Sequence, residues 1–213
     1  MPTGSAPSGV TGATPSVWNV PNGLTTLRIL LVPVLGWLLL ARDGQDAWLR
    51  TWAGLVFAAA ILTDRYDGII ARRNNLITDF GKLMDPIADK ALTGMAFVGL
   101  SIFGEVWWWV TIVVISREVL VTVLRFWVIR RGIIAASMGG KVKMMLQSFA
   151  LFGLILPFRM ASGDWHAVGQ ALWWVSVVLM GCAVVVTVAT GVDYVGRAVR
   201  LHGTTPPGSH PAP

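Results

Sequence analysis

Charge is scarce in this chain: Asp, Glu, Lys and Arg make up 13% of its 213 residues, and only 11 of those are acidic. So few charges cannot cover a soluble domain of this length, and the hydrophobic share of 54% points to a lipid surround. Cysteine is nearly missing as well. The single Cys182 can form no internal disulfide, implies no oxidising compartment, and reads as a free buried thiol. Histidine is equally sparse: His166, His202 and His210 fall in a connection or in the C-terminal tail, and no Ser-His or Cys-His arrangement suits covalent catalysis. The first 17 residues hold no basic residue and no apolar core, which excludes a secretory signal and predicts a disordered tail over 1–17. Residues 202–213, rich in Pro, Gly and Ser, predict a second tail and leave one domain over 18–201.

What the chain has in abundance is apolar length. Six windows, about 26–41, 52–71, 86–103, 107–129, 142–158 and 168–195, are long enough to span roughly 30 Å of hydrocarbon as helices. The expected fold is therefore an all-α membrane protein with six transmembrane helices. The net charge of +6 does not point to nucleic acid, because the basic residues stand at the ends of apolar windows and form no continuous stripe. Arg72, Arg73 and Lys82 in one connection, Arg130, Arg131, Lys141 and Lys143 in another, and Arg197 and Arg200 at the end place both termini in the cytoplasm by the positive-inside rule. The other connections hold only Arg42, Arg50 and Arg159. Trp48, Trp52, Trp107, Trp108, Trp109 and Trp165 cluster at the opposite ends, as headgroup-level anchors do. Ahead of the first window, VWNVPNGLTTLR predicts an N-terminal interfacial segment that turns into the membrane, with Asn22, Thr25 and Arg28 toward the cytoplasmic surface.

The acidic residues decide where chemistry must lie. Asp64, Asp67, Asp79, Asp85 and Asp89 fall within 26 positions, four of them inside or at the mouths of predicted spans, where carboxylates are costly and functional by default. Asp64 and Asp67 are three apart and Asp85 and Asp89 four apart, so on helices each pair shares a face. Four such charges need a cation between them, and an all-carboxylate set selects hard divalent ions, above all Mg²⁺ or Mn²⁺. Gly68 and Gly81 remove side chains beside the acids and permit close approach of a bulky ligand. Pro86 suits the first turn of a helix beginning at Asp85. Asp79 reads as a cap or ion-pair partner.

Asp64-Arg-Tyr-Asp67-Gly68-Ile-Ile-Ala71-Arg72, followed after eight residues by Gly81 and at four-residue steps by Asp85 and Asp89, resembles the DxxDGxxARx8GxxxDxxxD signature of the CDP-alcohol phosphotransferase family. Arg65 departs from the family, where an aromatic commonly follows the first aspartate. The resemblance implies two divalent ions at the cytoplasmic side, one on Asp64, Asp67 and Asp85 and the other on Asp64, Asp85 and Asp89, with Asp89 also the general base. It further implies that Asn22, Gly68, Ala71 and Gly81 accommodate the CDP end of a CDP-diacylglycerol donor, that Arg72 either joins them at the donor phosphates or neutralises an aspartate, and that the enzyme is a homodimer of the cell (inner) membrane.

The stretch SREVLVTVLR, then GGKVKMMLQ, and the opening VPNGLTTLRILLVP are similar to the members whose acceptor is sn-glycerol 3-phosphate. Cations at membrane depth require an anion, and Glu118 can answer only one of them. Arg117, Arg125, Lys141, Lys143 and, more weakly, Arg197 are therefore the expected holders of an acceptor phosphate, the alternative for Lys141 and Lys143 being that they mark the cytoplasmic edge and snorkel to it. Relatives that use inositol phosphate or make cardiolipin keep the same aspartates, so the acceptor is less firmly marked than the metal site. A cation-coupled transporter would require acids at the bilayer midplane and an internal repeat, and the sequence offers neither.

Overall fold

The computed structural model describes residues 20–73, 79–129 and 138–203. They form six α-helices: α1 (Val20–Leu40), α2 (Ala47–Arg73), α3 (Asp79–Ile102), α4 (Trp108–Ile129), α5 (Met138–Ile155) and α6 (His166–Gly203). Single 3₁₀ turns at Ala41–Gly44, Phe158–Met160 and Gly163–Trp165 join α1 to α2 and α5 to α6. The tail expected at 1–17 lies outside the described residues, as does the one expected at 202–213 except for His202 and Gly203, which end α6.

Helix ends follow local chemistry more than the apolar windows suggested. The separate interfacial segment is absent from residue 20 onward. Pro21 instead stands in the first turn of α1, where its missing N–H is an orphan in any case. Pro86 is a second correction: α3 begins at Asp79, so the proline lies inside the helix and deprives the preceding turn of one hydrogen bond. At the other end of the bundle α2 is capped by Asp46, whose carboxylate accepts the backbone N–H groups of Trp48 at 2.9 Å and Leu49 at 3.2 Å and pairs with Arg42 at 2.9 Å. The link from α1 runs through left-handed backbone at Arg42, Asp43 and Gly44. Only glycine fits the last of these, because a Cβ there would lie 2.7 Å from Phe103 Cε2.

α1 packs along α2 and α3, α5 packs along α6 and α2, and α4 closes the bundle against α3 and α6. The core is apolar: Leu35, Leu39, Phe57, Leu92, Phe97, Leu100, Leu151, Leu154 and Ile155 of α1, α2, α3 and α5 are all at most 1% exposed, and Val110 and Val114 of α4 and Met180 of α6 join them. Large apolar side chains also cover the outside, among them Trp37, Ile112, Phe149, Val178 and Val185, which a hydrocarbon surround tolerates and water does not. Cys182 belongs to this outer surface, on the face of α6 that carries Val178 and Val185, and is exposed where a buried thiol was expected. Among the described residues three segments, Asn22–Gly44, Gly139–Met160 and Gly163–Asp193, are long and apolar enough to cross a membrane by length and composition.

A buried polar cluster fixes the end of the bundle that bears most of the exposed tryptophans. Arg50 of α2, 4% exposed, donates through Nε to the carbonyl of Ile155 at 3.0 Å and through Nη2 to that of Leu154 at 2.6 Å, thereby satisfying the last turn of α5. Its Nη1 lies 3.2 Å from Glu105 Oε1, while Glu105 Oε2 accepts Trp173 Nε1 of α6 at 2.9 Å. Arg159 stacks over the Trp173 ring at 4.9 Å.

Candidate active site

The opposite end of the bundle gathers the acids. Asp64 lies near the end of α2 and Asp85 and Asp89 in the first half of α3, and both helices pack against α1. α1 answers with polar residues at three-residue spacing. Asn22, Thr25 and Arg28 are 5%, 1% and 2% exposed, so they face into the bundle and not the cytoplasmic surface. Arg28 Nη1 is 2.7 Å from Asp64 Oδ1, and the Thr25 hydroxyl donates to Asp85 Oδ1. Asp64 lies within electrostatic reach of Asp85, Asp89 and Arg28. Asp89 keeps its place through the helix, where its carbonyl accepts the Thr93 hydroxyl at 3.0 Å. Among the described residues no three His, Cys, Asp or Glu side chains gather closely enough to hold an ion. The donors present are nonetheless all carboxylate oxygens from two neighbouring helices, a chemistry that fits hard divalent cations and no soft metal.

Asp67, Gly68, Ala71 and Arg72 continue α2, and Gly81 stands in the first turn of α3, but their side-chain surroundings lie outside the described residues, as do those of Asp79, Arg125 and Arg197. Lys141 and Lys143 separate by about 200° around α5. Lys143 is 2% exposed and turns inward, whereas Lys141 is exposed and joins no cluster among the described residues.

Beside Asp89 stands a second polar group that the sequence marked only in part. Glu118 of α4 meets three cations: Lys90 Nζ of α3 at 2.5 Å from Oε2, Arg117 Nη1 at 3.0 Å from Oε1, and Lys143 of α5, also on Oε1. Arg117 Nη2 is tied to Thr190 Oγ1 of α6 at 3.0 Å, and its stem passes Gly191, where a Cβ would lie 3.2 Å from Arg117 Cγ. Glu118, Lys90 and Lys143 are all within electrostatic reach of Asp89. Two residues here were missed by sequence reasoning, Arg28 as a site residue and Lys90 as a member of the cation group. A signal for each existed: Arg28 is a lone cation inside an apolar window, and Lys90 directly follows the last aspartate of the signature.

Residues 18–190 match the family model described as CDP-alcohol phosphatidyltransferase. Among curated proteins the chain is similar to a probable phosphatidylglycerophosphate synthase of Mycobacterium tuberculosis, 46% identical over 182 residues that cover 85% of this chain and 82% of that protein. It is similar to the CDP-diacylglycerol–glycerol-3-phosphate 3-phosphatidyltransferase of Bacillus subtilis, 36% identical over 197 residues covering 85% of this chain and 95% of that one. The protein of the same name from Pectobacterium atrosepticum is 34% identical over 169 residues, 76% of this chain and 88% of its own length.

Proposed function

Since this chain belongs to the CDP-alcohol phosphatidyltransferase family, we propose that it transfers the phosphatidyl group of CDP-diacylglycerol to sn-glycerol 3-phosphate, giving phosphatidylglycerophosphate and CMP. The observation that carries the acceptor is the convergence of Lys90, Arg117 and Lys143 on Glu118, in reach of Asp89. A neutral alcohol would leave Glu118 the one carboxylate paired with three cations at membrane depth, whereas a phosphorylated one adds the missing negative charge.

In this reading Asp64, Asp67, Asp85 and Asp89 would hold two divalent ions, Mg²⁺ or Mn²⁺. When bound, the ions would neutralise the donor pyrophosphate and the charge that grows on the departing CMP. Asn22, Gly68, Ala71, Arg72 and Gly81 would receive the CDP portion, and the buried face of α1 would hold the aspartate end of the site rigid through Arg28 and Thr25. Asp89 takes the proton from the attacking hydroxyl at hydrogen-bond distance, so the oxygen attacks the lipid-bearing phosphorus in line and CMP leaves without a covalent enzyme intermediate. Arg117 and Lys143 orient the acceptor phosphate, with Arg125 and Arg197 as further contributors from the same end of the bundle, while Lys141 faces away from Lys143 and takes no part.

The wider frame of the proposal is six spans with both termini and the active site at the cytoplasmic face of the cell membrane, in a homodimer. The six long helices, the basic connections and the outward tryptophans support the spans and their orientation, and the homodimer rests on the family resemblance alone. The test is transfer of labelled glycerol 3-phosphate and of labelled inositol phosphate from CDP-diacylglycerol by the purified chain, with and without a chelator. Metal-dependent product from glycerol 3-phosphate is expected, and preference for inositol phosphate would refute the acceptor.

A further inference from the structure

Glu118 carries more than its share of charge. Its single carboxylate meets two ammonium groups and a guanidinium, contributed by α3, α4 and α5, so the salt-bridged group has three positive charges against one negative, an excess of two once the nearby Asp89 is committed to the metal ions as proposed above. The cations are largely withdrawn from water: Lys90, Arg117 and Lys143 side chains are 28%, 16% and 3% exposed. Arg117 Nε is buried with no hydrogen-bond partner. An excess of two cations at this depth is costly unless a dianion completes it, and a phosphomonoester carries roughly −1.5 to −2 at neutral pH. A phosphodiester, with one charge, would leave the group unbalanced.

Beside the carboxylate lies a cavity of about 350 Å³ whose wall is chiefly apolar, with Phe97, Val114 and Ile115, and turns polar at Lys90, Thr93, Glu118, Thr122 and Gln147. It gives Glu118 space to turn away from its partners. Gln147, 6% exposed, adds a buried amide oxygen with no partner to the same wall.

We infer that Glu118 is a positioning residue that stands in for the acceptor phosphate, holding Lys90, Arg117 and Lys143 in array until a dianionic phosphomonoester takes its place, and that Lys90 is a phosphate-binding residue of the acceptor subsite. The inference rests on the acceptor reading given above. Mutual repulsion among three cations from three helices would splay them without the carboxylate, and splayed cations would bind phosphate in a register that misplaces the attacking hydroxyl. Loss of Glu118 therefore reduces turnover and not affinity, because the group gains net positive charge.

The experiment uses the full-length enzyme in lipid and inorganic phosphate as a competitive probe against glycerol 3-phosphate. Lys90→Met is expected to weaken inhibition by phosphate and raise KM for the acceptor about tenfold or more, the effect of one charge-assisted hydrogen bond. Glu118→Gln is expected to lower kcat about tenfold or more while phosphate inhibits at least as well as in the wild type, and Glu118→Asp to recover part of the loss. Unchanged phosphate inhibition in Lys90→Met removes Lys90 from the subsite. Unchanged kcat in Glu118→Gln, or phosphate binding weakened there as in Lys90→Met, overturns the positioning role. Should Glu118→Gln fail to fold, Glu118→Asp takes over: the shorter side chain is expected to lower kcat and spare phosphate inhibition, and the opposite pattern refutes the role. A wild-type enzyme that rejects glycerol 3-phosphate, yet is inhibited by phosphate in a Lys90-dependent manner, would sink the acceptor and leave the subsite standing.

Discussion

Arg28 and Asp64 form an ion pair of 2.7 Å between α1 and α2, in which the arginine is almost wholly withdrawn from solvent and the aspartate is 39% exposed. The guanidinium thus sets a permanent positive charge at the foot of the aspartate group. Replacement by methionine leaves Asp64 without this partner. Arg28→Met is expected to lower stability by about 2 kcal/mol, below the usual cost of breaking a buried pair because Asp64 keeps part of its hydration. Thermal unfolding in detergent measures it, and an unchanged melting temperature would show the pair to be inert.

Asp89→Asn is expected to depress CMP release by a factor on the order of 10² to 10⁴, the range associated with loss of a general base. The Thr93 bond to the Asp89 carbonyl involves only backbone at that position, so the helix is expected to survive. Circular dichroism of the variant checks the fold beside the rate. Transfer at wild-type speed would remove Asp89 from its assigned role.

Arg50→Ala strikes the other end of the bundle. It strips the last carbonyls of α5 of their donors and leaves Glu105, 8% exposed, with Arg159 at 3.6 Å and Trp173 Nε1 as its partners. A loss of about 3 kcal/mol is expected, which for a chain of this size corresponds to roughly 6 to 12 °C in melting temperature. At low temperature the folded fraction should retain its KM for both substrates, since no part of the proposed site lies there. A raised KM with unchanged melting would contradict the purely structural role.

Asp46, in the connection between α1 and α2, gives a pH signature. The backbone N–H of Leu49, helped by that of Trp48 and by Arg42, holds its carboxyl below the ordinary value of 3.8. A depressed pKa in the folded state means that the cap's contribution is fully present above the ordinary value and is lost as pH falls through the depressed one. The melting difference between wild type and Asp46→Asn should therefore be constant at neutral pH and shrink below about pH 4. A difference that grows on acidification would reverse the sign of this assignment.

Much of the fold and the aspartate signature were legible in the sequence because both depend on local spacing. Apolar windows found all six long helices, though the starts of α1, α2 and α3 and the end of α6 lie well beyond them, and three- and four-residue steps placed the acids on helix faces. The starts of α1 and α3 were misread because polar residues such as Asp79 and Lys82 continue a helix beyond its apolar stretch. Lys141 and Lys143 could have been told apart by helical phase alone. Pairings between helices could not: nothing local says that Arg28 reaches Asp64 across 36 positions, or that Lys90, Arg117 and Lys143 share one carboxylate. The capping of α5 by Arg50 was hidden for the same reason, since its signal spans 105 positions.

That capping makes α5 a ruler. Its last carbonyl is fastened to Arg50 at one end, and Lys143, twelve residues earlier, is fastened to Glu118 at the other, a separation of about 18 Å at 1.5 Å per residue. Neither end can slide without breaking a buried polar contact, so the helix sets the depth at which an ammonium group stands in the bilayer. One residue inserted between them would turn Lys143 by about 100° and displace it by about 1.5 Å, leaving the clamp whole and the cation array without its third member.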